Sequence, residues 1–220
     1  FLSVVINALL FIIAIEIDLK QNGQHIMLLF SVLAIIFTFI SLLLVLGFSK
    51  KMLATFAATV IGTFVALGVS MLVFTWTHER GIYYESMEYV TQVPRSLFLA
   101  ETLLGSLGAV MDESSDIIAT LFELKQLNPA VTRKQLFISG RNVGKSIMGP
   151  LINVLFLIFM VDTFTGSLLY IKNGNSWGYT YAMNMSLGTI QSLISGIGIV
   201  LSVPLVSLFG ALLLGKKVQR

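Results

Sequence analysis

The sequence predicts an all-α, polytopic bundle of about six transmembrane helices. Of its 220 residues, 56% are hydrophobic and only 11% are charged, and the mean hydropathy is +0.90. A soluble domain has about 25% charged residues because its surface faces water. Most of this chain's surface must therefore face lipid. The composition excludes a cytosolic enzyme, a secreted domain and a nucleic-acid-binding module, and the length fits a single membrane domain.

The spans follow from apolar stretches of about 20 residues, the length that crosses a bilayer. The first is short, and because the chain begins with Phe1 rather than Met we expect residues to precede it. The second has no charge, the third repeats small residues every four positions, and the last three are more polar. The expected spans are 1–17, 26–48, 52–76, 94–112, 149–164 and 193–214, with polar helical segments at 113–148 and 184–192.

The basic residues predict the orientation, since cytoplasmic loops are enriched in Lys and Arg. A six-span chain with its start and its C-terminus in the cytoplasm has four basic residues outside: Lys20, Arg80, Arg95 and Lys172. It has ten inside: Lys50, Lys51, Lys125, Arg133, Lys134, Arg141, Lys145, Lys216, Lys217 and Arg220. We therefore expect the short turn at Lys50 to be cytoplasmic.

The fourth span carries two carboxylates and two glycines on one face: Glu101, Gly105, Gly108 and Asp112. Eleven residues at 100° each come within about 20° of three full turns, which places the two acids on one line about 16 Å apart. An acid in a transmembrane helix is costly and marks a function or a paired contact. The glycines allow another backbone to approach closely, or allow the helix to break.

The last two spans repeat this spacing with small and polar residues. The residues are Asn142, Ser146, Gly149 and Asn153 in the fifth span and the polar segment before it, and Gln191, Ser195, Gly198 and Ser202 in the sixth span and the polar segment before it. The three stripes are expected to face one another around a polar pathway. Helix packing alone is the alternative, because small and hydroxylated residues are how membrane helices associate.

Other chemistries find little support. The segment 140–146 (GRNVGKS) has three residues between its glycines where a phosphate-binding loop needs four. The chain has no cysteine, and His25 and His78 have no metal-ligand spacing. An intramembrane hydrolase with paired aspartates would need a partner for Asp112 at the same depth, and Asp116 and Asp18 are poorly placed. We therefore expect no catalytic residue, metal or cofactor.

Several runs resemble the YibE/F family of bacterial multi-pass membrane proteins. They are 104–112 (LGSLGAVMD), 122–124 (FEL), 128–129 (NP), 139–145 (SGRNVGK) with Asn153, and 196–205 (GIGIVLSVPL). The resemblance runs from Glu101 to the C-terminus. Two positions depart from it, since family members commonly have an acid at Ser146 and a hydroxylated residue at Val154.

The resemblance implies the shorter type of family member in the inner (plasma) membrane of a bacterium. It also implies a homo-oligomer, or a hetero-oligomer with a longer member, and no particular activity. From the residues, the leading hypothesis is a transporter or permease with a polar pathway for a small solute or ion. The alternatives are a non-catalytic accessory subunit of a membrane complex and, third, an intramembrane enzyme.

Overall fold

The computed structural model describes residues 2–20, 25–87 and 93–215, and the regular elements in these ranges are all helical. The helices are α1 (Leu2–Lys20), α2 (Ile26–Leu46), α3 (Lys50–Thr77), α4 (Pro94–Leu127), α5 (Arg133–Lys172), α6 (Trp177–Thr180) and α7 (Ser186–Leu214). A 3-10 turn, Tyr84–Ser86, precedes α4, and a π-helical turn, Tyr181–Met185, joins α6 to α7. The basic residues Lys216, Lys217 and Arg220 lie outside the described ranges.

Five of these helices are long and apolar enough to cross a membrane, counting α6, the π turn and α7 as one helix, Trp177–Leu214. The sixth long helix, α4, is less apolar because it carries the carboxylates. The predicted all-α bundle is confirmed. The helices are longer than the predicted spans, since α4 continues past Asp112 and α5 begins at Arg133. The predicted polar segment 113–148 is therefore the end of α4, a turn and the start of α5.

Local sequence explains where the helices begin. The Ser49 hydroxyl accepts a hydrogen bond from the Met52 amide and caps α3. Thr132 and Gln135 form a reciprocal capping box at the start of α5. Pro94 lies in the first turn of α4, where its missing N–H costs no hydrogen bond. These local signals therefore determine where α3, α4 and α5 begin.

Helix α7 is the centre of the bundle, because it packs against α3, α4 and α5. Small residues make these contacts close. A Cβ added at Gly62 of α3 would lie 3.2 Å from the Ser202 Cβ, and one added at Gly140 of α5 would lie 3.0 Å from the Ser207 Cβ. Helix α2 packs on α3 and α4, and α1 packs on α2 at the periphery.

The contacts also give the helix directions. Gly144 meets Val203 and Gly140 meets Ser207, so α5 and α7 are antiparallel. Helix α3 ends close to the start of α4, where the Arg95 guanidinium pairs with the Glu79 carboxylate. We call the end of the bundle with the first turn of α4 the Pro94 end. The opposite end, where α3 starts and α7 finishes, is the Lys50 end.

Candidate functional site

Two adjoining cavities form a groove towards the Pro94 end, between α4 and α5 with α7 as its floor. Their volumes are about 370 and 380 Å³, and both are lined by Gly188 and Gln191 of α7. The first also has Glu101 and Asn184 in its wall, and the second has Gly105 and Asp162. We call these two cavities together the groove.

Two carboxylates enter the groove from opposite walls. Glu101 belongs to α4 and Asp162 to α5, and the Gln191 side chain of α7 lies between them. The Gln191 amide Nε2 lies 3.5 Å from the backbone oxygen of Glu101, to which it donates a long hydrogen bond. Gly105 makes room for this amide, because an added Cβ would lie 2.9 Å from Nε2. The glycine of the α4 stripe therefore accommodates a polar side chain of α7.

The π turn fixes a second amide at the edge of the groove. Asn184 lies within it, and its Nδ2 donates to the backbone oxygen of Thr163 at 2.8 Å and to the hydroxyl of Ser167 at 2.9 Å. These bonds join the start of the central helix to α5 on the wall that carries Asp162. Single π turns occur frequently at functional sites.

An ion pair and a tyrosine lie beside the groove at the Pro94 end. The chain turns back after α3 through His78 and Glu79, whose φ angles are 51° and 55°. Glu79 pairs with Arg95 next to the hydroxyl of Tyr84. Burial, with the Glu79 carboxylate adding to it, raises the pKa of Tyr84 to about 12. The turn that holds Tyr84 continues into Ser86, which lines the first cavity.

Four of the predicted site residues line the groove: Glu101, Gly105, Gln191 and Ser195. Gly108 and Asp112 lie on the same face of α4, at the bundle surface but outside both cavities. Around these two residues the face points away from α3 and α7, since Val110, half a turn away, packs against Gly62 and Gly198. One turn nearer the Pro94 end, Gly105 on the same face contacts Gln191 of α7.

The predicted stripe on α5 does not face the other two. Asn142, Ser146 and Asn153 are all exposed, because Gly140 and Gly144 turn the opposite face of α5 towards α7. In the structure, therefore, the three stripes do not surround one pathway, contrary to the expectation. Of the three, only the α7 stripe is enclosed by other helices, as α7 is the helix with neighbours on several sides.

Sequence reasoning missed three polar residues that the structure brings forward. Asp162 is an acid inside the predicted fifth span, so the rule that flags charges within spans would have found it. Asn184 becomes notable through the π turn, which periodicity does not reveal. Glu113, the first residue of the predicted polar segment 113–148, is 0% exposed and contacts Ser202.

The groove offers carboxylates and amides, which suit a cation or a hydrogen-bonding solute. Among the described residues, no three His, Cys, Asp or Glu side chains group closely enough to hold a metal ion. Glu101 and Asp162 stand on separate helices and line different cavities of the groove.

The comparisons with known proteins agree with the resemblance drawn from the sequence. The family model described as YibE/F-like protein matches residues 1–216, which extends the likeness to the region before Glu101. No curated protein and no solved structure matches this chain. Together with five helices long and apolar enough to cross a bilayer, the match makes this a membrane protein with transmembrane helices. The chain belongs to the YibE/F-like family.

Proposed function

We propose that this chain is a transporter or permease whose groove binds a small cation or cationic solute. The observation that carries the proposal is that Glu101 and Asp162 line adjoining cavities from opposite walls, with Gln191 between them. Carboxylates inside a membrane protein mark substrate and ion pathways, since placing them there is costly. Two acids with amides between them attract a cation and replace part of its hydration shell.

The proposed orientation follows from the basic residues. Lys50, Lys51, Lys125, Arg133 and Lys134 lie at or near the Lys50 end, which is therefore cytoplasmic in the plasma membrane of a bacterium. The groove then lies nearer the opposite side, so a solute enters it from outside the cytoplasm. Release to the cytoplasm requires a movement of the helices.

Helix α5 contains the hinge for such a movement. Pro150 lies inside α5 and removes one backbone hydrogen bond, and no atom lies within 4 Å of a Cβ added at Gly149. On one side of this pair, Gly140 and Gly144 hold α5 tightly on α7; on the other side the helix carries Asp162. Bending at Pro150 would move Asp162, together with the π turn bonded to Thr163 and Ser167, relative to Glu101 while the Lys50 end stays packed.

Flux measurements test the transport proposal. Proteoliposomes containing dyes for H⁺, Na⁺, K⁺ and Mg²⁺ are given an inward gradient of each ion in turn. We expect one ion to enter faster than into protein-free liposomes, and the flux to be lost in the double variant Glu101→Gln with Asp162→Asn. Asp116→Asn is the matched control, because Asp116 is an exposed acid of α4 outside the groove. Flux of every ion at the protein-free rate, or undiminished flux in the double variant, would refute the proposal.

A second function, a non-catalytic accessory subunit, is favoured by the exposed stripe of α5. Asn142 and Asn153 place amides on the bundle surface, and Asp112 places a carboxylate on the exposed face of α4. Exposed polar groups in lipid gain from a partner that covers them. In mild detergent, the wild-type chain is then expected to migrate as a complex, and Asn142→Leu with Asn153→Leu to reduce it to single chains. A wild-type chain that is monomeric throughout would rule this function out.

A further inference from the structure

A buried carboxylate lies in the bundle outside the groove. Glu113 of α4 is 0% exposed, and its Oε2 and the Ser202 hydroxyl of α7 form a hydrogen bond. Ser202 also packs on Gly62 of α3, whose added Cβ would lie 3.2 Å from the Ser202 Cβ and 3.3 Å from Val110. Glu113 follows Val110 by about one helical turn. The acid is therefore enclosed where α3, α4 and α7 meet.

The helices packed around Glu113 place no countercharge at its level of the bundle. The whole of α2 and the whole of α7 contain no titratable side chain, and those of α3 are Lys50 and Lys51, about three turns from Gly62 at the Lys50 end. On α4 itself, Asp112 and Asp116 are exposed acids, and on α5 the cations Arg141 and Lys145 are exposed on the side away from α7. An ionised carboxylate in this position would be a buried charge without a partner, which costs several kcal/mol. The surroundings thus favour the neutral acid.

The hydrogen-bond partners of Ser202 lead to the same conclusion. Its hydroxyl is within hydrogen-bond reach of the Glu113 Oε2 and lies 2.9 Å from the backbone oxygen of Ile199. A hydroxyl has one hydrogen to donate. If that hydrogen goes to Ile199, the usual bond of a serine within a helix, then a hydrogen on Glu113 must complete the contact. A protonated Glu113 donates to Ser202, and Ser202 donates to Ile199.

Further polar atoms in this region of the bundle lack partners. The Glu113 Oε1 has none, nor do the hydroxyls of Ser114, Thr59 and Thr63, in the part of the chain that the structure describes. Thr59 lies about one turn from Gly62 towards the Lys50 end, as Glu113 lies one turn from Val110 in that direction. Buried polar atoms without partners are rare. Because none of these hydroxyls donates to the Glu113 Oε1, an ionised carboxylate would lack the hydrogen bonds that compensate a buried charge, which again favours the neutral acid.

We propose that Glu113 is a proton-binding site, separate from the groove, whose proton holds α4 to α7. The proton forms the O–H bond of the Glu113 carboxylic acid and is donated to Ser202. When it leaves for water, it leaves a carboxylate, and the contact between α4 and α7 weakens. The ligand is H⁺ itself, which occupies no volume in a tightly packed contact. The proposal does not depend on transport through the groove.

Infrared spectroscopy and unfolding together test the proposal on the full chain in lipid nanodiscs. At neutral pH, the carbonyl band of a protonated carboxylic acid is expected in the difference spectrum of the wild type minus Glu113→Gln. The same band is expected to be absent from the difference spectrum of the wild type minus Asp112→Asn, the control variant. The resistance of the wild-type fold to SDS is expected to fall as the pH rises. Glu113→Gln keeps the shape of the neutral acid, so its resistance is expected to change less with pH than that of the wild type or of Asp112→Asn.

Three results would overturn the proposal. The first is a wild-type spectrum in which Glu113→Gln removes no carboxylic acid band. The second is a pH response in Glu113→Gln equal to that of the wild type. The third is specific stabilisation of the wild-type chain by Na⁺ at constant ionic strength, which would make the ligand a metal cation. If Glu113→Gln does not fold, Ser202→Ala serves instead, since it leaves the acid in place and is expected to shift the frequency of its carbonyl band.

Discussion

Replacing Gly140 by alanine tests the close packing of α5 on α7. The new Cβ would lie 2.6 Å from the Ser207 Oγ, 3.0 Å from its Cβ and 3.2 Å from its Cα. Because one of these atoms belongs to the backbone, rotation of a side chain does not relieve the contact. The helices must separate, or α5 must shift along α7.

The size of the effect follows by comparison with Gly68 in the interior of α3, where an added Cβ meets nothing within 4 Å. Both replacements gain helix propensity, which is about 1 kcal/mol from Gly to Ala in a helix interior. Their difference therefore isolates the overpacking at Gly140, for which about 1–3 kcal/mol is typical. We expect Gly140→Ala to be less stable than Gly68→Ala by that amount.

The assay is an SDS titration in bicelles, followed by the fluorescence of Trp76 and Trp177. A second variant shows that the loss arises at this contact: Ser207→Gly removes the Oγ and Cβ atoms, so adding it to Gly140→Ala should recover part of the lost stability. Equal stability of Gly140→Ala and Gly68→Ala would refute the proposed packing of α5 on α7.

Three further predictions concern the groove and its surroundings. Because the pKa of Tyr84 is raised to about 12, its neutral form stabilises the fold fully below pH 10, and this contribution is lost as the pH rises towards 12. In Tyr84→Phe, the free energy of unfolding should change less with pH over this range. An unchanged pH dependence in this variant would contradict the raised pKa. Gly105→Ala should displace Gln191 and reduce any flux through the groove. Gly108→Ala should leave the flux unchanged, because its added Cβ meets open space. Equal flux in the two variants would contradict the role of Gly105 in the groove. Pro150→Ala restores a backbone hydrogen bond in α5, so the variant should resist SDS better and transport more slowly, and faster transport would argue against a hinge.

The sequence predicted the class of fold because composition and hydrophobic length decide whether a helix enters lipid. It also predicted which residues share a helix face, since that depends only on the 3.6-residue period. It did not determine which faces meet. The α5 stripe of Asn142 and Asn153 is exposed because Gly140 and Gly144, which lack a Cβ, let α7 approach the other face. That choice depends on contacts between helices distant in sequence.

The two buried or groove-lining acids show a second limit. Glu113 follows Asp112 directly, yet a rotation of about 100° per residue takes it from the exposed face of α4 to complete burial. The acids next to Glu113 in the sequence therefore did not indicate that it is buried. Asp162 differs, because it was visible as a charge within a predicted span and only its opposition to Glu101 needed the structure.

Transport through this protein requires that the groove between α4, α5 and α7 is hydrated and open to a solute. The chain contains no cysteine, so single cysteines can be introduced without further changes. Neighbouring positions provide the contrast: Asp162 lines the groove, whereas Val161 is 73% exposed and outside both cavities. In intact membranes, a charged, membrane-impermeant maleimide is expected to label Asp162→Cys and Gln191→Cys rapidly and Val161→Cys slowly. Equal labelling rates for Asp162→Cys and Val161→Cys, or no labelling of Gln191→Cys, would show that the groove is not open to water.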